Sequence, residues 1–176
     1  MGWPHLCMHR ARWDFGAQPR GRFWAITEGS RGGETFRVEF ASPVIGTTTA
    51  LCVYDESGSM RRLVLNATAP AGGTCVSSPC WRETTRGFKC SDKNLTPDGL
   101  FTVSLNAGLE GRASITVRGK GDRLLMPTPV SPSHLLNQDT RVAVQLIKSD
   151  GGPCWEAVYP APPVRNTSDQ FKDTIP

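Results

Sequence analysis

The amino-acid sequence predicts an all-β fold, an antiparallel β-sandwich of about eight or nine strands with little or no helix. Three observations lead to this prediction. Apolar and polar residues alternate over short stretches, as they do in strands that have one buried face. Glycine (18 residues) and proline (14 residues) are frequent among the 176 residues, which indicates many turns. No window is long enough and periodic enough to predict an α-helix.

The strand pattern becomes clear from Thr35 onward. Phe36, Val38 and Phe40 alternate with charged residues and predict a half-buried strand. A short strand at 24–26 is a candidate for an earlier element. Further strand pairs are predicted on either side of glycine-containing turns. These pairs are 48–54 with 62–68, 80–83 with 87–90, 101–105 with 113–117, and 142–146 with 154–159.

The segments between and around these strands set the expected organisation. Residues 1–22 show no period and are predicted to be an unstructured or mis-assigned leader, so that 23–176 forms a single domain. The proline-rich segment 126–134 favours a crossover between two sheets, and hence a sandwich rather than a closed barrel. One helical turn is expected at Ser133–Gln138. The tail from Pro160 is expected to lie along the surface.

The charge balance favours a mildly basic, solvated surface. The chain has 20 Lys and Arg against 16 Asp and Glu, a net charge of +4. These basic residues are scattered along the sequence, whereas a nucleic-acid binder would have to bring them together on one face. Nucleic acid is therefore not an expected partner. No stretch approaches the roughly 20 apolar residues of a membrane-spanning helix, so no membrane span is predicted.

Six cysteines indicate an oxidising compartment, and we expect a secreted or periplasmic protein. No export signal is present near Met1, so the expectation is that such a signal has been lost. Cys75 and Cys80 bracket a tight loop and are predicted to form a disulfide. Cys52 and Cys154 lie in predicted strands and form the second predicted pair, which leaves Cys7 and Cys90 free. A metal site is the alternative to the first pair, but no second pair of ligands lies nearby in the sequence, and no cofactor is expected.

A set of spaced motifs resembles exported, cysteine-containing, β-rich modules of Gram-negative bacteria, notably myxobacteria, from about Thr35 to the C-terminus. The motifs are Ala-Leu-Cys-Val-Tyr-Asp (50–55), Ala-Pro-Ala-Gly-Gly-Thr-Cys (69–75), Pro-Cys-Trp (79–81), Gly-Phe-Lys (87–89), Thr-Pro-Asp-Gly (96–99), Arg-Gly-Lys-Gly (118–121), Cys-Trp-Glu-Ala (154–157) and Gln-Phe-Lys-Asp (170–173). The resemblance implies export and a β-rich fold, and it supplies no mechanism. Cys90 departs from the pattern, because an aromatic residue is expected there.

Two sets of residues are candidates for ligand contact. Trp81 and Trp155 each follow a cysteine, and they either present a flat face to a ligand or pack on a disulfide in the core, which is the favoured interpretation. Asp92, Asn94 and Asp98 form an oxygen-rich loop that either holds calcium or, as we favour, stabilises a turn through bonds to its own backbone.

Catalytic motifs are not recognisable. His134 is the only histidine in the patterned region and lies in a proline-rich loop, and no Gly-x-Ser-x-Gly motif presents a serine. The leading hypothesis is therefore a non-catalytic exported β-sandwich that serves as a structural or ligand-binding module, with a carbohydrate or a cell-surface protein as its partner. The alternative is a hydrolase whose site is built from loops at one end of the sandwich. A flat binding face would favour the first, and a deep pocket with carboxylates or His134 the second.

Overall fold

The computed structural model of the protein describes residues 9–10, 13–18, 23–28, 34–109 and 111–174. It is nearly all β and confirms the predicted fold class. Its strands are β1 (His9–Arg10), β2 (Trp13–Gln18), β3 (Phe23–Glu28), β4 (Thr49–Ser57), β5 (Met60–Ala69), β6 (Thr74–Cys75), β7 (Ser78–Pro79), β8 (Trp81–Thr84), β9 (Gly87–Ser91), β10 (Leu100–Asn106), β11 (Ser114–Lys120), β12 (Arg141–Lys148), β13 (Trp155–Pro160), β14 (Arg165–Thr167) and β15 (Gln170–Thr174). No helix in the described part of the chain is long and apolar enough to cross a membrane.

Two sheets hold most of the strands. The five-stranded sheet has the order β1-β13-β12-β4-β5, and the eight-stranded sheet has the order β14-β15-β2-β3-β11-β10-β9-β8. Neighbouring strands are antiparallel throughout, except that β1 runs parallel to β13. Strands β6 and β7 form a separate two-stranded ribbon.

The inner faces of the two sheets meet in one apolar core, which makes the fold a sandwich. Leu51, Val53 and Val144 come from the five-stranded sheet, while Val103 and Ile115 come from the eight-stranded sheet, and all five side chains are almost fully buried. Inward residues occur at every second position of β11, and of β10 from Val103 onward, beyond an irregularity between Leu100 and Thr102, as expected for strands with one wet face.

The four predicted hairpins are confirmed, as β4–β5, β8–β9, β10–β11 and β12–β13. The early strand predicted at 24–26 is present within β3. The proline-rich crossover is also confirmed, since residues 121–140 lead from β11 in one sheet to β12 in the other. Leu124, Leu135 and Leu136 anchor this crossover in the core.

Two local predictions are wrong because short-range hydrogen bonds replace regular structure. The alternating segment at Phe36 forms a 3-10 helix over Arg37–Phe40 instead of a strand, and the Phe36 N–H donates to the Glu39 carboxylate at 2.6 Å. Of its apolar residues only Phe40 is buried. No helical turn forms at Ser133–Gln138, because the N–H groups of Leu135 and Leu136 donate to the side-chain oxygen of Asn166.

The two chain ends contribute more than predicted. The tail forms β14 and β15, and β15 is an internal strand of the eight-stranded sheet with Phe171 fully buried. The prediction of an unstructured leader over 1–22 is wrong for 9–10 and 13–18, because β1 pairs with β13, and β2 pairs with β3 and β15. The remainder of that segment lies outside the described residues.

Candidate functional site

The outer surface of the eight-stranded sheet carries a group of basic and hydroxyl-bearing side chains. Strands β8 to β11 alternate, so that one set of side chains enters the core and the other points away from it. We call the outward set the basic face. Its members are Arg82, Thr84, Lys89, Ser91, Thr102, Ser104, Asn106, Ser114, Thr116, Arg118 and Lys120. None of them is acidic.

The strand register extends the basic face across the sheet. Ser91 aligns with Thr102, which aligns with Arg118, and the same row continues through β3 and β2 to Lys172 and Arg165. Residues aligned in this way lie on the same side of a sheet. At about 4.8 Å between strands, the row from Ser91 to Arg165 spans about 30 Å. The face is thus long enough for an extended ligand.

Among the described residues, several cations of the basic face lack the carboxylate partners that arginines of the other sheet have. Arg62 and Arg141 form ion pairs with the buried carboxylates Asp55 and Glu56, both with N–O distances of 2.8–2.9 Å. Within the described residues, Arg82, Lys89 and Arg118 have no such carboxylate partner. Arg82 and Lys89 are even directly aligned on β8 and β9, and like charges in that arrangement are destabilising. On β8 to β11, therefore, none of these three charges is neutralised by a described carboxylate, while the register places one acidic residue of the extended face, Asp14 of β2, in line with Thr116.

A disulfide loop lies at one end of the basic face. Cys75 and Cys80 are bonded, as predicted, and close the turn that joins β6 to β7. The Cys80 carbonyl accepts a hydrogen bond from the Ser91 N–H at 2.9 Å, which attaches the loop to the end of β9. The loop is thus held against the outward residues of β8 and β9.

The predicted Cys52–Cys154 disulfide is wrong. Cys52 is a buried free thiol whose sulfur lies 3.8 Å from the Asn66 side-chain oxygen, and Cys154 takes part in a different disulfide. The reason is that β12 lies between β4 and β13, so the two cysteines are roughly 10 Å or more apart, beyond the roughly 7 Å limit for Cα atoms. Cys90 is free, as predicted, while Cys7 lies outside the described residues.

The two tryptophans are core residues and not ligand contacts. Trp81 and Trp155 are each only 1% exposed, so the core interpretation is confirmed and neither can present a face to a carbohydrate. The Trp81 indole N–H donates to the Pro70 carbonyl at 2.8 Å. The Trp155 ring packs against Phe40 with ring centroids 5.1 Å apart.

The oxygen-rich loop is a structured turn. Asp92 accepts hydrogen bonds from the N–H groups of Asn94 and Thr96, at 2.7 and 2.8 Å. Asp98 accepts from the N–H of Thr68 on β5, at 2.9 Å. Asp92 therefore stabilises its own turn, as the turn interpretation expects, whereas Asp98 attaches the loop to β5, which that interpretation did not include. Among the described residues, no group of three His, Cys, Asp or Glu side chains is placed to hold a metal ion.

His134 and Glu56 both make local contacts in the structure. The His134 ring lies on an exposed loop, with its Nδ1 atom 2.9 Å from the Ser133 hydroxyl. Burial raises the pKa of Glu56, but hydrogen bonds from Thr140 and Arg141 and the nearby arginine charges lower it further, so that its pKa lies below the ordinary value. A depressed pKa of this kind suits a structural ion pair better than a general acid.

No family model, curated protein or solved structure matches this chain. The basic face is the feature that the sequence predictions missed. Alternation alone places Lys89, Ser91 and Arg118 on wet faces of their strands. It cannot show that these strands share one sheet with β15 and β14, because strand order is set by long-range pairing.

Proposed function

We propose that this protein is an exported, non-catalytic β-sandwich module that binds an acidic polysaccharide along the basic face. The observation that carries the proposal is the row of unpaired cations on one surface of one sheet, interleaved with hydroxyl groups. Cations on such a row attract the regularly spaced anions of an extended polymer. The hydroxyls of Thr102, Ser104 and Thr116 add neutral donors and acceptors that suit sugar hydroxyls.

The lack of stacking aromatic residues on β8 to β11 favours a polysaccharide over nucleic acid, although the cations converge on one face as a nucleic-acid binder would require. Proteins that bind single strands stack bases on exposed aromatic rings. Strands β8 to β11 contribute no aromatic member to the basic face, and the nearby Phe101 ring of β10 lies under the Lys120 ammonium at 4.1 Å.

Export is supported by two independent features. The Cys75–Cys80 disulfide suits an oxidising compartment, where structural disulfides persist. The sequence motifs resemble those of exported bacterial modules. Acidic polysaccharides are accessible to a protein in such a compartment.

Binding assays with defined polymers test the proposal. We expect dextran sulfate and alginate to bind, neutral dextran not to bind, and affinity to fall as salt is added. The double variant Arg118→Gln/Lys172→Gln should weaken binding to both acidic polymers about tenfold, or about 1.4 kcal/mol. Arg61→Gln is the control for loss of a positive charge elsewhere, because it removes one charge from the outer surface of the other sheet and should leave affinity unchanged.

Three results would contradict the proposal. One is equal binding of both acidic polymers to the double variant and to the unmodified protein. Another is tighter binding of single-stranded or duplex DNA than of dextran sulfate at the same salt concentration. The third is release of shorter saccharides from either polymer, which would favour the hydrolase alternative.

A further inference from the structure

A cavity of about 190 Å³ lies where the disulfide loop meets the end of the basic face. One side is formed by the loop from Cys75 to Cys80, including Ser77 and Ser78. The other side is formed by Arg82 of β8, by Lys89 and Ser91 of β9, and by Lys93 just beyond β9. One water takes up about 30 Å³ in the liquid, so the cavity can hold a small oxyanion together with some of its hydration.

The charge of this cavity is one-sided. Arg82, Lys89 and Lys93 line it, and no Asp or Glu does. In the described part of the chain none of these cations forms an ion pair. Glu83, which follows Arg82, is bound instead by Arg37 at 2.6 Å. A concave site lined by charges of one sign concentrates counter-ions of the other sign.

The cavity also provides neutral hydrogen-bond donors. The hydroxyls of Ser77, Ser78 and Ser91 line it, and none of them bonds to another described side chain or backbone group. Three cations and three hydroxyls exceed what the two oxygens of a planar carboxylate can use. A phosphate or sulfate ester offers three free oxygens, all strong acceptors, and a phosphate ester carries nearly two negative charges.

We infer that this cavity binds a tetrahedral oxyanion, a phosphate or sulfate ester carried by the ligand. The inference rests on the proposed function, because it identifies a substituent on the acidic polysaccharide that the basic face holds. The row of cations then tracks the polymer, and the cavity receives one of its ester groups. A polymer that carries only carboxylates would bind along the basic face but would place no phosphate or sulfate ester in the cavity.

The test compares a sulfated with a carboxylate polymer. We expect Lys93→Gln to weaken dextran sulfate binding at least fivefold while leaving alginate binding unchanged, because Lys93 lines the cavity and lies outside the basic face. Ser77→Ala should have a smaller effect in the same direction, and thermal melting should confirm that each variant is folded. Arg118→Gln/Lys172→Gln should weaken the binding of both polymers. Substitutions in the cavity and substitutions on the basic face are therefore distinguished by their effect on alginate binding.

Titration with inorganic phosphate and inorganic sulfate, followed through the amide resonances of Ser78 and Ser91, shows whether the cavity prefers phosphate or sulfate. A site that prefers phosphate should bind it more tightly as pH rises and inorganic phosphate loses its second proton, while sulfate affinity stays constant. A site that prefers sulfate should bind it more tightly than phosphate at every pH. The inference is overturned if neither ion shifts these resonances, or if the cavity variants weaken alginate and dextran sulfate equally. In either case the polymer assays still decide the proposed function.

Discussion

Removal of the Cys75–Cys80 disulfide should destabilise the protein by a small and calculable amount. The two cysteines are five residues apart in sequence, so the cross-link closes a very short loop. In the chain-entropy model such a loop lowers the entropy of the unfolded chain by an amount worth about 2 kcal/mol at 25 °C. The double variant Cys75→Ser/Cys80→Ser should therefore lose about 2 kcal/mol of unfolding free energy, which for a chain of this size lowers Tm by about 4–8 °C.

Urea denaturation followed by tryptophan fluorescence measures this loss, since Trp81 lies directly after the loop and is buried. Ser77→Ala is the matched control, because it changes the same loop and leaves the cross-link intact. Its unfolding free energy should stay within about 0.5 kcal/mol of the unmodified protein. Peptide mapping without reduction should find Cys75 linked to Cys80.

Two outcomes would refute the reasoning. An unchanged unfolding midpoint in the double variant would mean that hydrogen bonds such as that from the Ser91 N–H to the Cys80 carbonyl close the loop without the cross-link. A loss above about 5 kcal/mol would mean that the disulfide supports the sheet itself, beyond the range of the entropic account.

Two further predictions concern titrating groups. The pKa of Glu56 is lower in the folded protein than its ordinary value of 4.5, so its contribution to stability is present above that value and is lost as pH falls through the folded-state pKa. Glu56→Gln should therefore be less stable than the unmodified protein near neutral pH, and urea titrations should show the difference shrinking as pH falls below 4.5. Burial and then the Asp92 charge raise the pKa of Cys90 to about 12, so at about pH 8 a thiol reagent should label Cys90 only after unfolding. Mass spectrometry that finds Cys90 labelled in the native protein would contradict this.

Local patterns predicted the hairpins well. In β11, and in β10 from Phe101 onward, each apolar residue is followed by a polar one or by glycine, and a glycine-containing segment joins the two strands, so period and turn agree. The Cys75–Cys80 disulfide was equally predictable, because two cysteines five residues apart in sequence lie close together in any fold. In each case the information lies within a few residues.

Long-range pairing could not be predicted in the same way. Cys52 and Cys154 both lie in or beside strands, but only the strand order shows that β12 separates them. The tail offered one buried residue, Phe171, between polar neighbours, which is too weak a pattern to predict β15. At Phe36 the alternation was misleading. The Glu39 carboxylate accepts a hydrogen bond from the Phe36 N–H and stabilises a local turn, although the apolar residues there are spaced as in a strand.

The arrangement at the end of the basic face is difficult to explain by stability alone. Arg82 and Lys89 repel each other across β8 and β9, and a carboxylate at either position would have stabilised the pair instead. The disulfide adjacent to them stabilises only a short loop, although its position forms one side of the cavity that those cations line. A rigid loop reduces the ordering cost of binding, and unpaired cations strengthen attraction for an anion. Both features are accounted for together if the loop and the strand pair form one anion site at the end of a polysaccharide-binding face.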